Sequence, residues 1–575
     1  MVSALRPDLP LIVVSEAQPS TGNWIPYRAD QSMADNLRGI RRALHGKPIE
    51  VGVMMLQSRN RHWKLQAIPF LARTHCLLAA NENLDYFEVG PQSAGLILRH
   101  WRWRAREWRQ RLQPAPALRA KLPPLSVIRA QAAGFAIGLS KLFIPPPAKL
   151  APIATPEPPP GISVVIPSRN GRDMLARMLP AVLEQNEAGE TIVVNNGSED
   201  GTAEWLRHQF PDVVLLDHEA GLPFPIAVNI GVRAARFSHV CLLNNDMAIA
   251  PGFLQHLRQA FDRVPDLFCA AAQVFLPPGL PRQETGKTFI RTSPAVSDFP
   301  IRCDLPIEEE NLSYVLYGSS GCSMYDARKL ASLEGFDETY APAYVEDLDA
   351  GVRAWQHGWP TVFVAGAHVV HEHRATMSKL FSKAQLDNMV LHHWLLFLTR
   401  TIRQRAVFAR YWRHAVARLR HAAATPEADH VLRSIHPGGP WHTRAQHTAL
   451  RDDEIFALCD GSVTVFPGAL EDSALPAVLI VRVGLPAPGS AGAGFKPVLV
   501  AFVDRLGPIP TALREHYAEI VTIQRSGPAA ESSASFRAAL RQTVRKWRPP
   551  VAYLQSQLAG LYSRDLAGLK ITIEP

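Results

Sequence analysis

Apolar residues in the middle of the chain recur in short unbroken runs, each closed by a polar loop and followed by a stretch with helical spacing. Ile162 to Ile166 is closed by Pro167-Ser168-Arg169-Asn170-Gly171, and a helix is predicted over Asp173 to Gln185. Thr191 to Val194 gives way to Asn195-Asn196-Gly197-Ser198 and a helix over Thr202 to Gln209. Val213 to Leu216 precedes a helix near Ile226 to Ala235, and Val240 to Leu243 ends in the elbow Asn244-Asn245-Asp246-Met247. Runs without polar alternation are strands buried on both faces, so the pattern predicts a mostly parallel sheet covered by helices. Ligands of such α/β sheets gather at the carboxyl ends of the strands, where these polar loops fall.

The flanks carry the same theme. Residues 1 to about 115 alternate β-rich runs (Leu11 to Val14, Ile49 to Leu56, Cys76 to Ala80) with helical stretches such as Met33 to His45, which predicts a small Rossmann-like α/β unit. Proline crowds residues 116–160, ending in Pro156-Glu157-Pro158-Pro159-Pro160, a stiff linker. Inside it, Ala132 to Ile144 reads as a buried or interfacial helix, because Lys141 and Pro145-Pro146-Pro147 argue against a membrane span. The central domain is expected over 161–375, a helical region over 376–440 that covers it or touches a membrane surface, and a connector over 441–475. Residues 476–575 repeat the strand-helix alternation and end on Ile571 to Ile573, which reads as half of a larger Rossmann unit.

At 575 residues, 47% hydrophobic and 20% charged, the composition is that of a multidomain globular protein. No segment offers ~18 uninterrupted apolar residues, so a soluble or peripheral chain is expected. The six cysteines lack Cys-x-x-Cys spacing, which argues against a zinc site or disulfide scaffold and suits a reducing cytoplasm. The net charge of +9 suits acidic surroundings. From His100 to Arg111 arginine and tryptophan interleave, either as an ordinary helix with inward tryptophans or as a contact for anionic headgroups; nucleic acid is not the expected partner.

Two features carry chemistry. An acid at a strand end, Asp246, can hold a divalent cation on a diphosphate. About a hundred residues later Glu346-Asp347 opens a helix whose Leu348, Val352 and Trp355 share one face. The helix start favours ionised carboxylates by ~0.3–1 kcal/mol, the form a general base needs. Plainer readings fit the same letters: a polar turn after a buried strand, and N-terminal capping, with Asp349 and Arg353 an i,i+4 structural pair.

Five stretches stand in one order and spacing: Ser163 to Asn170, Ile192 to Thr202, Leu242 to Asp246, Gly335-Phe336-Asp337-Glu338, and Glu346 to Arg353. Together they resemble glycosyltransferase family 2, the inverting GT-A fold, and within it the rhamnosyltransferase-like branch. The resemblance implies that Pro167, Arg169, Asn170, Asn195, Asn196 and Asn245 hold the nucleotide. It also implies that Asp246, Asn244 and His371 hold Mg²⁺ or Mn²⁺, and that Gly318 and Ser320 belong to a small-residue segment admitting the acceptor. Asp347 is implied as the base, with Glu346 orienting it or the acceptor.

Two positions depart from the family pattern. Asn195 stands where aspartate is usual, and an amide can offer a base edge both a donor and an acceptor. The elbow has one acid instead of two. The tail from about 476 resembles the amino-terminal half of a family 4, GT-B type domain, with Arg548 to Leu554 the clearest stretch, and is expected to be catalytically silent. Residues 1–115 faintly resemble a glycosyltransferase Rossmann half.

The resemblance implies transfer from a nucleoside diphosphate sugar to a saccharide or lipid-linked acceptor in surface polysaccharide synthesis; the expected place is the cytoplasm, either free there or peripheral at the cytoplasmic face of the membrane. A non-catalytic scaffold binding partner proteins or an anionic membrane is the competing expectation. A nucleotidyltransferase is disfavoured because no Gly-rich, Lys-bearing loop follows the first strand.

Overall fold

The computed structural model describes residues 12–15, 23–26, 33–44, 49–56, 74–81 and 86–88. From 125 onward it describes all but 149, 151, 154, 277–284, 372–381, 423–447, 488–493, 526–533 and 575. The chain divides into two compact units. In the first, β1 (Ile12–Ser15) pairs in parallel with β2 (Asn23–Pro26), and α1 (Met33–Ala43) buries Ile40 against Val14 and Ile25. There too β3 (Ile49–Leu56) runs parallel to β4 (Thr74–Asn81), with β5 (Tyr86–Glu88) antiparallel at its side.

The second unit opens with α2 (Leu125–Ser140) and then builds the central sheet. Its first half is β6 (Ile162–Ser168), α3 (Arg172–Leu183), β7 (Ala188–Asn196), α4 (Thr202–Gln209), β8 (Val214–His218), α5 (Phe224–Ala234) and β9 (His239–Leu243). The second half follows with β10 (Met247–Ile249), α6 (Phe253–Arg263), β11 (Cys269–Phe275), the hairpin strands β12 (Thr288–Ile290) and β13 (Ile301–Cys303), and β14 (Cys322–Asp326). It closes with α7 (Ala327–Ser332), α8 (Glu346–Gln356) and β15 (Thr361–His371). Eight strands lie in the order β10-β15-β11-β14-β9-β6-β7-β8, and β14 runs antiparallel to both neighbours.

The unbroken apolar runs are buried on both faces. Val164, Ile166 and Val193 meet Leu175 and Leu179 of α3 on one side, while Val165, Ile192 and Val194 meet Ala227 and Val228 of α5 on the other. Each fully buried aliphatic side chain contributes about 1.5–3 kcal/mol, so a charge at Val165 would break the layer between the sheet and α5. Because β6, β7 and β8 are parallel, their carboxyl ends form one rim, and β9 adds the elbow to it.

Two long helices follow, α9 (Lys383–Arg400), started by a capping box of Ser382 and Gln385, and α10 (Arg405–Ala422). After them α11 (Asp452–Leu458) leads into β16 (Val463–Pro467), inside the stretch read as a connector. β17 (Ala477–Val483), β18 (Lys496–Val503), α12 (Thr511–Arg514), β19 (Glu519–Gln524), α13 (Ala534–Trp547), β20 (Val551–Gln555), α14 (Ser556–Tyr562) and β21 (Lys570–Glu574) complete the chain. Their sheet has the order β16-β19-β18-β17-β20-β21 and is parallel except at β16. This tail shares one hydrophobic core with the central domain. Gln356 Nε2 joins them by donating to Thr401 O at 2.8 Å and Asp452 Oδ1 at 2.9 Å. Among the described residues no helix is long and apolar enough to cross a membrane.

A candidate active site at the strand ends

A cavity of about 700 Å³ opens at the rim. Pro167, Arg169, Asn196, Asn244, Asn245, Asp246, Ser320, Glu346, Asp347 and His371 all line it, so residues as far apart in sequence as Pro167 and His371 share one space. Asn170, Asn195 and Gly318 are not on its wall.

The elbow follows from sheet pairing. β10 is antiparallel to β15 with Met247 opposite His371, which brings His371 Nε2 to 3.2 Å from Asp246 Oδ2. Asp246 Oδ1 is buried with no hydrogen-bond partner among the described residues. Asn245 Nδ2 donates to Ser168 Oγ at 2.9 Å, tying the elbow to the first loop, while the Asn244 backbone N–H donates to Gly321 O at 2.8 Å. Among the described residues no three His, Cys, Asp or Glu side chains cluster as a metal cage. One open carboxylate oxygen, one imidazole and one amide oxygen still suit a hard cation that takes its remaining ligands from diphosphate and water.

The acidic pair is presented by a strained turn. Tyr344 and Val345 have φ of 75° and 77°, a conformation that costs a non-glycine residue of order 1–3 kcal/mol and is least expected of a β-branched one. Packing offsets it, since Val345 and Leu348 enter the core and the His393 ring hydrogen-bonds Tyr344 O at 3.0 Å. Glu346 is buried: Oε1 accepts from Ser320 Oγ at 3.4 Å, and Oε2 is without a partner among the described residues. Burial, and then the charge of Asp347, push its carboxyl up to about 8, so the neutral form predominates at pH 7. This corrects the expectation that the helix start keeps both acids ionised, because desolvation outweighs the modest dipole. Asp347 is half-buried on the cavity wall, its Oδ1 accepting from the Leu348 N–H at 2.7 Å. Asp349 is turned into the core, accepting from Arg353 Nε at 2.8 Å.

On the nucleotide side Arg169 is exposed on the cavity wall, and no carboxylate among the described residues pairs with it. Asn170 joins two loops: its N–H donates to Ser198 Oγ at 2.8 Å, and its Oδ1 accepts from the Glu199 N–H at 2.7 Å. Both ends of the Asn196 amide are taken by the Leu222 backbone, at 2.9 and 2.6 Å. Asn195 Nδ2 donates to Asp217 Oδ1 at 2.8 Å, and Asp217 Oδ2 accepts from Arg207 Nη2 at 2.7 Å. The Asn195 and Arg207 contacts hold the Asp217 carboxyl below the usual range. The expected dual donor and acceptor role of Asn195 is therefore halved: Oδ1, buried and without a partner among the described residues, is what remains. Gly318 packs behind the wall, where a Cβ would fall 2.5 Å from Cys269 Sγ, while Ser320 and Gly321 face the cavity.

An apolar part of the wall escaped sequence reasoning. Phe299, Ile301, Tyr317 and Val390 line it from segments without a motif. Phe299 meets Trp394 of α9 edge-on at 5.5 Å. The turn between α11 and β16 braces the hairpin, since Ile290 N donates to Cys459 O at 2.9 Å and Arg302, paired with Asp304, donates to Asp460 O at 2.8 Å. Asp217 was also missed, although a strand-end acid beside Asn195 in register is visible once β7 and β8 are paired. The Arg/Trp segment 100–111 and His373 lie outside the described residues.

Residues 158–385 match the family described as "Glycosyltransferase like family 2". An N-acetylglucosaminyl-diphospho-decaprenol L-rhamnosyltransferase of Mycobacterium tuberculosis, in strains CDC 1551 / Oshkosh and H37Rv, is 28% identical over 223 residues, covering 35% of this chain and 71% of the relative. Among solved structures, GalNAc-T7 with UDP, GalNAc and Mn²⁺ is 17% identical at a TM-score of 0.34, covering 41% of this chain and 47% of its own. The mannosyltransferase PcManGT from Pyrobaculum calidifontis with GDP-Man and Mn²⁺ is 17% identical at a TM-score of 0.32, covering 54% and 89%. Overlaps of that size leave the fold assignment to the sheet order and the family match.

Proposed function

We propose that the central domain, a glycosyltransferase family 2 domain over residues 158–385, transfers a sugar with inversion from a nucleoside diphosphate donor to a lipid-linked or saccharide acceptor. One observation carries this reading: Asp246 and Asp347, a hundred residues apart in sequence, line the same cavity. Asp347 is the base. Its carboxylate takes the acceptor hydroxyl proton as that oxygen bonds to the anomeric carbon and the bond from that carbon to the diphosphate breaks. Glu346, held neutral by burial, is in the wrong form for a base and instead donates from its carboxyl to orient the acceptor.

Asp246, His371 and the Asn244 amide would hold Mg²⁺ or Mn²⁺, which when bound neutralises the diphosphate leaving group. Arg169 adds a fixed positive charge to the same side. The apolar wall of Phe299, Ile301, Tyr317 and Val390 suits an acceptor with a hydrophobic portion, in keeping with the diphospho-decaprenol named for the mycobacterial relative. The turn between α11 and β16, in the stretch read as a connector, braces the hairpin of that wall through Cys459 and Asp460.

A panel of nucleotide sugars incubated with the full chain and Mn²⁺ tests this. Donor hydrolysis or transfer by the wild type that Asp347→Asn suppresses is the expected result. Turnover of no donor, or turnover indifferent to Asp347→Asn, would remove the reading.

A further inference from the structure

Helix α2, LSVIRAQAAGFAIGLS, is apolar almost all round, yet among the described residues only one side of it is covered. The covered side lies on α10. Val127, Ala130 and Gly134 are buried, and Trp412 Nε1 donates to Ala130 O at 3.1 Å. Just beyond the helix Lys141 turns inward, its ammonium donating to the carbonyls of Thr399 and Ile402. The other side shows Ile128, Phe135, Leu139, Leu142 and Phe143, with Phe135 64% and Phe143 87% exposed. Water-facing helices carry polar residues on such a side, and a contiguous apolar strip marks an interaction surface.

Charge identifies the partner. Neither α2 nor α10 contains an aspartate or glutamate. Arg129, Arg405, Arg413 and Arg420 are exposed on these two helices, and none pairs with a carboxylate among the described residues. With Lys141 withdrawn, the tip Leu142-Phe143 is purely apolar. An apolar strip on a pair of helices that carry exposed arginines and no acids complements the boundary between acyl chains and anionic headgroups.

Position agrees with charge. Trp394 of α9 touches both Phe299 of the cavity wall, at 5.5 Å, and Tyr411 of α10, at 5.9 Å, so the layer that carries the strip also backs the cavity. We infer that α2 and its tip, residues 141–143, are a docking surface for an anionic lipid bilayer, seated in the interface parallel to the membrane. The inference stands on this surface and not on sugar transfer, so either can fail alone.

Flotation of the full chain with phosphatidylcholine vesicles, with and without phosphatidylglycerol, tests it. Co-flotation that needs phosphatidylglycerol and falls with added salt is expected. The pair Phe135→Glu with Phe143→Glu should reduce it about tenfold or more, whereas Phe135→Leu with Phe143→Leu should retain it. Both positions are exposed, and circular dichroism checks that the variants fold. Donor hydrolysis without vesicles reports the cavity separately. Absence of flotation by the wild type, or flotation unchanged by the glutamate pair, overturns the inference. So does a glutamate pair that converts a dimer to a monomer without vesicles, which assigns the strip to a second copy of the chain.

Discussion

Asn195 gives its amide hydrogens to Asp217 Oδ1 at 2.8 Å, across the paired ends of two neighbouring strands. A carboxylate only accepts, so the chemistry itself fixes the orientation of the amide and leaves Oδ1 as an acceptor. The pair thus restores the polarity of the aspartate usual at this position in the family. Oδ1 is buried and Asn195 is off the cavity wall, so the pair acts on a bound nucleotide through the loop it anchors at the rim and not by touching the base. Asp217→Ala, which frees the amide to turn over and loosens that loop, should weaken uridine diphosphate binding to the full chain by a few-fold to about tenfold in calorimetry. Nucleotide binding unchanged by Asp217→Ala would refute that role.

The acidic pair should separate by substitution. Asp347→Asn removes the base and is expected to lower kcat about 10²–10⁴-fold. Glu346→Gln imitates the neutral carboxyl and should keep kcat within about tenfold of wild type. Initial rates at saturating donor decide it; a reversed order would exchange the two roles.

Burial of Glu346 also predicts a pH dependence of stability. Its carboxyl is raised from 4.5 to about 8 in the folded chain, so the folded state holds the proton more tightly than the unfolded one. Its contribution to stability is fully present below about pH 4.5 and is lost as pH rises toward 8. Glu346→Gln has no such loss. Chemical denaturation at acid, neutral and alkaline pH should show the variant gaining on the wild type as pH rises, by on the order of a few kcal/mol. A gap constant with pH would mean that the Glu346 carboxyl binds its proton equally in the folded and unfolded chain, and would remove the neutral-acid assignment.

Asp246 and His371 offer an incomplete ion site. Mn²⁺ alone should bind weakly, Mn²⁺ with nucleoside diphosphate much more tightly, and Asp246→Ala or His371→Ala should each cost roughly 10–100-fold in the metal-dependent part of nucleotide affinity. Calorimetry with and without EDTA measures it. Nucleotide affinity indifferent to EDTA would argue for a site that uses Arg169 alone.

Much of the central fold was legible because parallel strands buried on both faces must be apolar without interruption, and the loops closing them must be polar. Val164 to Ile166, Ile192 to Val194 and Val240 to Leu243 have that form, and all are buried. The family motifs then marked the rim. The tail was legible less completely: β16 lies in a stretch read as a connector, since five residues leave little periodicity to detect.

The sequence by itself determined the strand-loop-helix alternation and the short polar loops, because burial and turn formation act over a few neighbouring residues. Tertiary structure alone decided which of those polar residues do chemistry. The neutral form of Glu346 comes from the core around it, the single remaining acceptor of Asn195 from a strand twenty residues on, and the approach of His371 to Asp246 from antiparallel pairing across more than a hundred. The two sides of α2 look alike as letters and differ only because α10 covers one of them. Desolvation, partner choice and coverage are properties of the surroundings, and distant segments supply the surroundings.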